Sequence, residues 1–259
     1  SPDPSAPGAT VQLGWNTNPL APLDVIGLPV GTATSSNAPQ AFVDLDLVPD
    51  ATRLFFANAD DGAATIRAPF GFAYPFAGVP VSVFTASVNG ALVVGPSAPA
   101  LTTNVDLTTP GSTPPLLAPF WDDLQLGDRG AVRWYLDASM SPRRLIVQWS
   151  QVLVGGNAAS ELTFQVQLLE TGETRFVYRT LSDPNGNASG QTATVGIFAG
   201  VGIYGVNHGF NQPVLTQDQQ LSWFTNGPAG GILSLKVAQS VSPGFFVKPA
   251  AGGLTWVFQ

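Results

Sequence analysis

The chain has 259 residues and a formal net charge of −7, with 17 Asp and Glu against 10 Lys and Arg. Nucleic acids and anionic membrane surfaces are bound by clusters of Lys and Arg, so an acidic chain without a basic cluster argues against both as partners. No apolar run approaches the roughly 20 residues of a membrane helix, and the lack of cysteine excludes disulfides and thiolate sites. We therefore expect no nucleic-acid partner and no membrane insertion.

The same composition indicates where the protein works. A eukaryotic extracellular domain of this size usually carries disulfides, so their absence favours a bacterial secreted or surface protein. The chain begins at Ser1 rather than at Met, which is consistent with removal of a signal peptide. We predict a secreted, extracellular protein at a bacterial cell surface.

Residues 1–40 are rich in Pro, Gly, Ser, Thr and Asn, which predicts an extended segment with a short strand at 11–15. After it, apolar and polar residues alternate with the period of a β-strand. The strands predicted in this part of the chain are 42–47, 53–58, 64–68, 79–88 as one bent strand or two, 91–94, 116–120, 131–137, 144–154, 161–169, 174–181, 192–199, 221–225, 232–239, 245–248 and 254–258.

Turn signals separate these strands. Asn89-Gly90 lies between two β-rich runs and predicts a hairpin, while repeated prolines make 95–115 a long loop, a length that is typical of functional loops. Within 161–169 the alternation predicts which side chains face inward and which face outward. Leu162, Phe164, Val166 and Leu168 are predicted inward, and Thr163, Gln165 and Gln167 outward.

The pattern of short strands predicts the fold class. No segment of useful length has the period of a helix, and turns recur every ~8–12 residues, as in antiparallel sandwiches. We predict an all-β protein with an antiparallel β-sandwich or jelly-roll-like module at 41–199. Residues 200–259 are predicted to form a β-rich, charge-poor C-terminal extension, packed on the module or on a neighbouring subunit.

His208 is the only histidine, and it does not predict a catalytic or metal site. A catalytic triad needs a base beside a nucleophilic Ser, and no Gly-x-Ser-x-Gly motif is present. A zinc site needs about three or four His, Cys or carboxylate ligands. We therefore predict a loop or turn role for His208, no catalytic residues, no cofactor and no metal ligands.

Asp122 and Asp123 form a carboxylate pair that resembles the acids of a hydrolase. Neighbouring residues of a strand point to opposite faces, so the two cannot flank one scissile bond unless the backbone turns there. The favoured interpretation is a strand-end turn in which they pair with Arg or with backbone amides. A calcium site at this pair, or at Asp60-Asp61, stays open, although calcium prefers several oxygens from one loop.

Clustered aromatic residues are predicted to fill the core, because strand alternation buries one face. The residues in question are Phe70, Phe72, Tyr74 and Phe76, together with Trp121, Trp134 and Trp149. The alternative for the first four is a surface on which sugar rings stack. Asn187-Ala188-Ser189 is a glycosylation sequon that we expect to be unused in a bacterial protein.

The C-terminal part of the chain is almost uncharged. Residues 184–259 contain only Asp218, Lys236 and Lys248 as charged residues, whereas a solvent-facing surface normally carries more charge. Either this region packs against the module or it meets other subunits. The last segment, 253–259, is interpreted as an internal strand or as a strand that pairs with a sheet edge of a neighbour.

Several motifs in order resemble the nidogen-like (NIDO-type) extracellular β module. They are Pro69-Phe70-Gly71-Phe72, Ser87-Val88-Asn89-Gly90, Ala118-Pro119-Phe120-Trp121-Asp122-Asp123, the strand of residues 144–149, and the strands at 164–168 and 193–197. The resemblance covers roughly 41–199. It implies adhesion, matrix or surface assembly, and it implies no catalytic residues.

We therefore expect a non-catalytic secreted or cell-surface protein that acts in adhesion or extracellular assembly through contacts with surface or matrix proteins, or with itself. One alternative is a subunit of an extracellular polymer that uses its C-terminal strand. Another is a carbohydrate-binding module, which exposed aromatics beside Asn or Asp would support. An unrecognised hydrolase would need a second essential acid near Asp122.

Overall fold

A computed structural model of the chain describes residues 10–12, 25–26, 42–77, 79–97, 99–109, 113–200, 203–224, 234–235, 245–250 and 253–258. These residues form antiparallel strands and one 3₁₀ turn, Asn187–Ser189, and contain no α-helix. The prediction of an all-β antiparallel fold is confirmed. The part of the chain that is described has no helix of the length and apolar character that crossing a membrane requires.

The strands in chain order are β1 (Thr10–Gln12), β2 (Val25–Ile26), β3 (Thr52–Arg53), β4 (Ala63–Arg67), β5 (Tyr74–Phe76), β6 (Val79–Val81), β7 (Val83–Ser87), β8 (Leu92–Val94), β9 (Leu116–Trp121), β10 (Leu124–Gln125), β11 (Ala131–Asp137), β12 (Arg144–Val154), β13 (Glu161–Leu169), β14 (Glu173–Ser182), β15 (Thr194–Gly200), β16 (Ile203–Phe210), β17 (Gln220–Phe224), β18 (Ser234–Leu235), β19 (Phe245–Ala250) and β20 (Gly253–Phe258).

The chain divides into two compact units, one made by residues 28–232 and the other by 1–27 together with 233–259. The larger unit is a β-sandwich. Its seven-stranded sheet has the order β17-β14-β13-β12-β11-β3, with β10 also paired to β12, and its six-stranded sheet has the order β16-β15-β9-β8-β7-β4. The short hairpin β5-β6 adds Tyr74 and Phe76 to the main core.

The inner faces of the two sheets meet through large aromatic side chains. Phe164 stacks between Trp149 and Phe120, with ring centroids 5.3 and 5.8 Å away. Each of these rings is fully buried, which stabilises the fold by about 1.5–3 kcal/mol per side chain. Hydrogen bonds also cross the core, since the Trp149 indole N–H donates to the Ser87 carbonyl at 2.8 Å and the Tyr178 hydroxyl to the Pro119 carbonyl at 2.7 Å.

The outer face of the seven-stranded sheet is covered by residues 42–48, which we call the covering segment. The prediction of a strand at 42–47 is wrong, because none of these residues pairs into a sheet and 44–47 form a turn closed by the Leu47 amide and the Asp44 carbonyl. Leu45 is buried, and its amide donates to the Gln148 side-chain oxygen at 2.9 Å. The Gln165 side chain donates to the carbonyl of Val43, so the segment binds the sheet through side-chain amides instead of adding a strand.

Because the covering segment lies on the outer face of the sheet, the outward-facing side chains of β13 are not exposed to solvent. Thr163, Gln165 and Gln167 do point away from the inner face, but all three are buried. The two glutamines are satisfied by hydrogen bonds in which Gln167 donates to Gln165 and receives a bond from Arg144, and the Thr163 hydroxyl accepts from the Gln151 amide. Buried polar groups must be paired in this way, because each unpaired group would destabilise the fold.

The outer face of the six-stranded sheet is covered by residues 99–109, which we call the covering loop and which belong to the predicted loop 95–115. Together they form a second, smaller core: Ala91, Val93, Leu101, Leu107, Leu116, Ala118, Trp121 and Phe198. The Asn104 side chain fastens the loop by donating to the Thr192 carbonyl at 2.8 Å. The loop is therefore a packed part of the sandwich.

Strand β16 was not predicted from the sequence. Glycines interrupt the alternation of apolar and polar side chains in this strand, so the sequence pattern does not indicate it. The glycines are required because the covering loop lies close to the strand backbone. A Cβ atom on Gly205 would lie 2.1 Å from the carbonyl oxygen of Leu107 in the covering loop. Glycine therefore lets the loop lie directly against the strand.

Other strand predictions have mixed outcomes. Strands β11, β12 and β13 have the predicted bounds, and the Asn89-Gly90 hairpin joins β7 to β8, with Gly90 at a φ of 73°. The bent strand at 79–88 is two strands, β6 and β7. The strand predicted at 53–58 is wrong for 54–58, because β3 ends at Arg53, and most of the strand predicted at 232–239 lies outside the described residues.

The smaller unit contains two sheets. Strand β20 lies between β1 and β19 and pairs antiparallel with both, so the predicted strand near the end of the chain is present. Strand β2 pairs with β18. Residues 200–259, predicted as one extension, thus supply β16 and β17 to the sandwich sheets and β18 to β20 to the smaller unit.

Candidate functional site

The two aspartate pairs singled out in the sequence meet at one corner of the sandwich, and Asn89 ties them together. Asn89 is fully buried in the hairpin between β7 and β8. Its amide nitrogen donates to the Asp61 carboxylate at 3.0 Å and to the Leu101 carbonyl at 3.1 Å. Its side-chain oxygen accepts from the Leu124 amide at 2.8 Å. One side chain thus joins the Asp60-Asp61 turn, the covering loop and the start of β10.

Asp122 and Asp123 differ in exposure, as expected for neighbours at the end of a strand. Asp122 is buried, and Asp123 is exposed. The Asp122 carboxylate accepts from the Thr192 hydroxyl at 2.6 Å and from the Asp123 amide at 2.9 Å. Burial raises the pKa of Asp122 against the effect of these hydrogen bonds. The prediction that Asp122 pairs with a backbone amide is confirmed. Its second partner is the Thr192 hydroxyl and not an Arg, which was the other predicted partner.

The acids of this corner repel one another. The pKa of Asp60 is raised, by partial burial and then by the negative charges of Asp61 and Asp123. The sequence left a calcium site open at either pair. In the described ranges, no group of three or more His, Cys, Asp or Glu side chains is placed to hold a metal ion.

His208 lies on strand β16, so the prediction that it occupies a loop or turn is wrong. Its ring is half-buried, and burial lowers its pKa, while a hydrogen bond with the backbone of Val214 acts in the opposite direction. A lowered pKa keeps the ring neutral at pH 7. Gly205 and Gly209 flank His208, and because glycine has no side chain the sequence shows no strand alternation there.

The aromatic residues divide between core and surface. Phe72, Tyr74 and Phe76 are buried as predicted, whereas Phe70 is fully exposed and its predicted core position is wrong. The reason is a turn, because the Phe72 amide donates to the Pro69 carbonyl at 3.1 Å and places Phe70 at the tip. Of the three tryptophans predicted in the core, Trp121 and Trp149 are buried and Trp134 is partly buried.

The sequon Asn187-Ala188-Ser189 forms the 3₁₀ turn. The Asn187 backbone amide donates to the Asp183 carboxylate at 3.0 Å, and the Ser189 hydroxyl to the Gly186 carbonyl at 2.9 Å. These bonds give both residues a structural role in the turn. That the sequon is unused stays a prediction.

An exposed aromatic residue, Phe55, marks a groove that the sequence did not identify. Its side chain is 86% exposed, while its neighbours Leu54 and Phe56 pack on the main core. The groove has a volume of about 400 Å³. It is lined by Arg53, Leu54, Phe55, Phe56, Ala59, Leu126, Gly127, Gly130 and Ala131, and we call it the Phe55 groove. The available signal was the apolar run at 54–56, in which alternation leaves one side chain on the solvent side.

The Phe55 groove lies at the edge of the seven-stranded sheet, next to strand β3. The backbone there is fixed, because the Leu54 amide donates to the Val132 carbonyl at 2.8 Å. The Arg53 guanidinium donates to the Gly130 carbonyl at 3.2 Å and forms part of the rim. The groove therefore combines a rigid, partly apolar lining with a positive charge at its border.

A second groove, of about 460 Å³, crosses the outer face of the same sheet. Its lining is polar or charged throughout, and we call it the polar trough. The residues of the polar trough are Asp44, Asp46, Arg129, Arg133, Gln151, Glu161, Thr163, Arg179 and Thr180. The Phe55 groove and the polar trough share no lining residue, so this region offers two surfaces of different chemistry.

Comparison with known proteins gives one match. A family model described as NIDO related matches residues 33–234 of the chain, which is well over half of its length. The match begins before the covering segment and ends beyond β17. Neither the curated proteins nor the solved structures contain a match to this chain.

Proposed function

The chain belongs to the NIDO-related family, and from this premise we propose that it is a non-catalytic module of a secreted or cell-surface protein. It acts in adhesion or extracellular assembly through protein–protein contacts. The family supports an extracellular β module. Secretion, the bacterial cell surface and the adhesive role are parts of the proposal.

The observation that carries this proposal is the exposure of Phe55 beside an apolar groove. Exposed large apolar side chains in the described part of the chain are Leu47, Phe55, Phe70, Val79 and Met140. Of these, only Phe55 lines either of the two grooves. An aromatic side chain in a rigid, partly apolar depression is typical of the centre of a protein interface.

The chemistry of the groove specifies the partner segment. Gly127 and Gly130 contribute only backbone atoms to the lining, so an apolar anchor of a partner would pack mainly against the Phe55 ring. The Arg53 guanidinium at the rim favours a carboxylate next to this anchor. Burial of an exposed phenylalanine contributes about 1.5–3 kcal/mol to association. We therefore expect a partner segment that combines an aromatic or aliphatic residue with Asp or Glu.

The polymer alternative finds less support. Strand β20 is paired on both sides within its own chain, so pairing with a neighbour would require that this sheet open. A second copy of the chain remains a possible occupant of the Phe55 groove, and the experiment below distinguishes it from another protein.

Site-specific photo-crosslinking of the intact chain in the cells that produce it tests the proposal. A photoreactive phenylalanine replaces Phe55 in one variant and Phe70, which is at least as exposed, in the control. We expect an adduct from position 55 with one extracellular protein or with a second copy, identified by mass spectrometry. Equal labelling from both positions, or adducts with chaperones alone, would contradict the proposal.

A further inference from the structure

The polar trough lies where four elements of the seven-stranded sheet meet. Strands β11, β12, β13 and β14 each contribute lining residues, and the covering segment closes one side through Asp44 and Asp46. Thr163 and Thr180 are register partners on neighbouring strands. The trough therefore runs across the strands on a rigid floor.

A β-bulge shapes the trough. The pairing of β12 with β13 shifts between Trp149 and Val152, and Gln151 has a φ of 49°, a left-handed conformation that is unusual for a residue other than glycine. The Gln151 amide donates to the Thr163 hydroxyl at 3.1 Å, which holds the bulge. Bulges redirect side chains and are common beside functional sites, and this one brings Gln151 into the trough.

Arg179 supplies the trough with a positive charge that no described carboxylate neutralises. Arg133 pairs with Asp46 and Arg129 with Glu161. For Arg179, by contrast, no described carboxylate lies within ion-pair distance. Its guanidinium is held over the Phe42 ring, 5.2 Å from the ring centroid. A stacked guanidinium keeps its edge free for a bidentate bond to a carboxylate.

From this arrangement we propose that the polar trough binds an acidic saccharide, with the carboxylate of a uronic acid on Arg179. Sugar hydroxyls both donate and accept, which matches a lining of carboxylates, an amide and hydroxyls. Asp44 and Glu161 accept from sugar hydroxyls, which an acidic peptide such as oligoglutamate lacks. The lining also lacks apolar pockets for peptide side chains. This site is independent of the Phe55 groove.

Isothermal titration calorimetry with three probes tests the proposal on the full chain. The probes are an oligogalacturonate, the same oligomer with its carboxyl groups reduced, and a triglutamate peptide. We expect heat of binding from the oligogalacturonate, at least about tenfold weaker binding of the reduced oligomer, and weaker binding of the peptide. Absence of oligogalacturonate binding would overturn the proposal, and tighter binding of the peptide would replace the saccharide with an acidic peptide.

Two variants locate the site. Arg179→Gln removes the charge and keeps a planar amide, whereas Arg175→Gln changes an arginine of the same strand that pairs with Glu173 outside the trough. We expect Arg179→Gln to weaken oligogalacturonate binding by about tenfold or more and Arg175→Gln to leave it unchanged. Thermal melting shows whether each variant is folded. Equal affinity of folded Arg179→Gln and the unchanged chain would place the ligand elsewhere.

Discussion

Asn89 shows how a single buried side chain fixes the geometry of a whole corner. Its three hydrogen bonds reach the Asp60-Asp61 turn, the covering loop and the backbone after β9. All three segments are distant from one another in sequence. The bonds to the Leu101 carbonyl and the Leu124 amide are buried, so these two backbone groups would have no water to replace the lost partner.

Replacement of Asn89 by Ala is therefore expected to lower the free energy of unfolding by about 2–4 kcal/mol. Chemical denaturation followed by tryptophan fluorescence measures this loss. Asn185, which lies exposed in a turn, is the matched control, and Asn185→Ala is expected to change stability by less than about 0.5 kcal/mol. Similar losses for both variants would show that the corner does not depend on Asn89.

Asp122 and Asp137 are expected to give opposite pH dependences. Burial raises the pKa of Asp122, so its contribution to stability is present at low pH and is lost as pH rises through its folded-state pKa. For Asp137, burial acts upward, but hydrogen bonds from Ser139 and Arg144 together lower the pKa. Its contribution is therefore present above the unfolded-state pKa and lost as pH falls through the folded-state value.

The free energy of unfolding of Asp122→Asn and Asp137→Asn is measured from pH 3 to pH 7. This is roughly the range in which carboxyl groups titrate. Relative to the unchanged chain, Asp122→Asn is expected to gain stability as pH rises, and Asp137→Asn is expected to lose it. Differences that run in the same direction for both variants would contradict the assigned causes.

Residue-scale exposure was only partly predictable. The alternation in β13 predicted the inner face correctly, but Gln165 is buried by a segment more than a hundred positions away, since it bonds to Val43. No local pattern carries that information. The predicted burial of Phe70 was wrong for another reason. Phe70 lies in a turn and not in a strand, so the strand alternation used for the prediction does not apply to it.

At the scale of elements, strands that face a core on one side were predictable and strands without side-chain alternation were not. β11, β12 and β13 carry apolar residues at every second position, as the pleat of a half-buried strand requires. The segment at 42–47 carries a similar alternation for another reason, because Leu45 anchors it to the sheet while Asp44 and Asp46 bond to Gln148. A period of two therefore does not distinguish a strand from a covering segment.

The contact between β16 and the covering loop provides the test at this scale. In Gly205→Ala the new methyl group would meet the Leu107 carbonyl at 2.1 Å, so the loop must move away from the sheet. We expect a loss of about 1–3 kcal/mol, as for other overpacked sites, and faster hydrogen exchange at residues 99–109.

Gly155→Ala is the matched control for that substitution. Gly155 has a positive φ, 52°, and no atom lies within 4 Å of an added Cβ, so this variant introduces backbone strain without a clash. It is expected to destabilise the chain without changing exchange in the covering loop. Unchanged exchange at 99–109 in Gly205→Ala would contradict the packing described for β16.

At the scale of the whole molecule, both outer faces of the sandwich are covered by parts of its own chain. The covering segment lies on one sheet and the covering loop on the other. The two grooves described here lie on and beside the seven-stranded sheet. Composition and motif order in the sequence were sufficient for the all-β class and the family. The grooves were not predictable, because each is assembled from segments that lie far apart in the sequence.

The affinity of the partner captured at position 55 tests the central claim most directly. Calorimetry or surface plasmon resonance would compare the unchanged chain with Phe55→Ser and, as a control, Phe70→Ser. A residue at the centre of an interface contributes about 2 kcal/mol or more, so Phe55→Ser is expected to weaken binding by at least about 30-fold while Phe70→Ser has no effect. Equal affinities for Phe55→Ser and the unchanged chain would contradict the assignment of this groove as the adhesive surface.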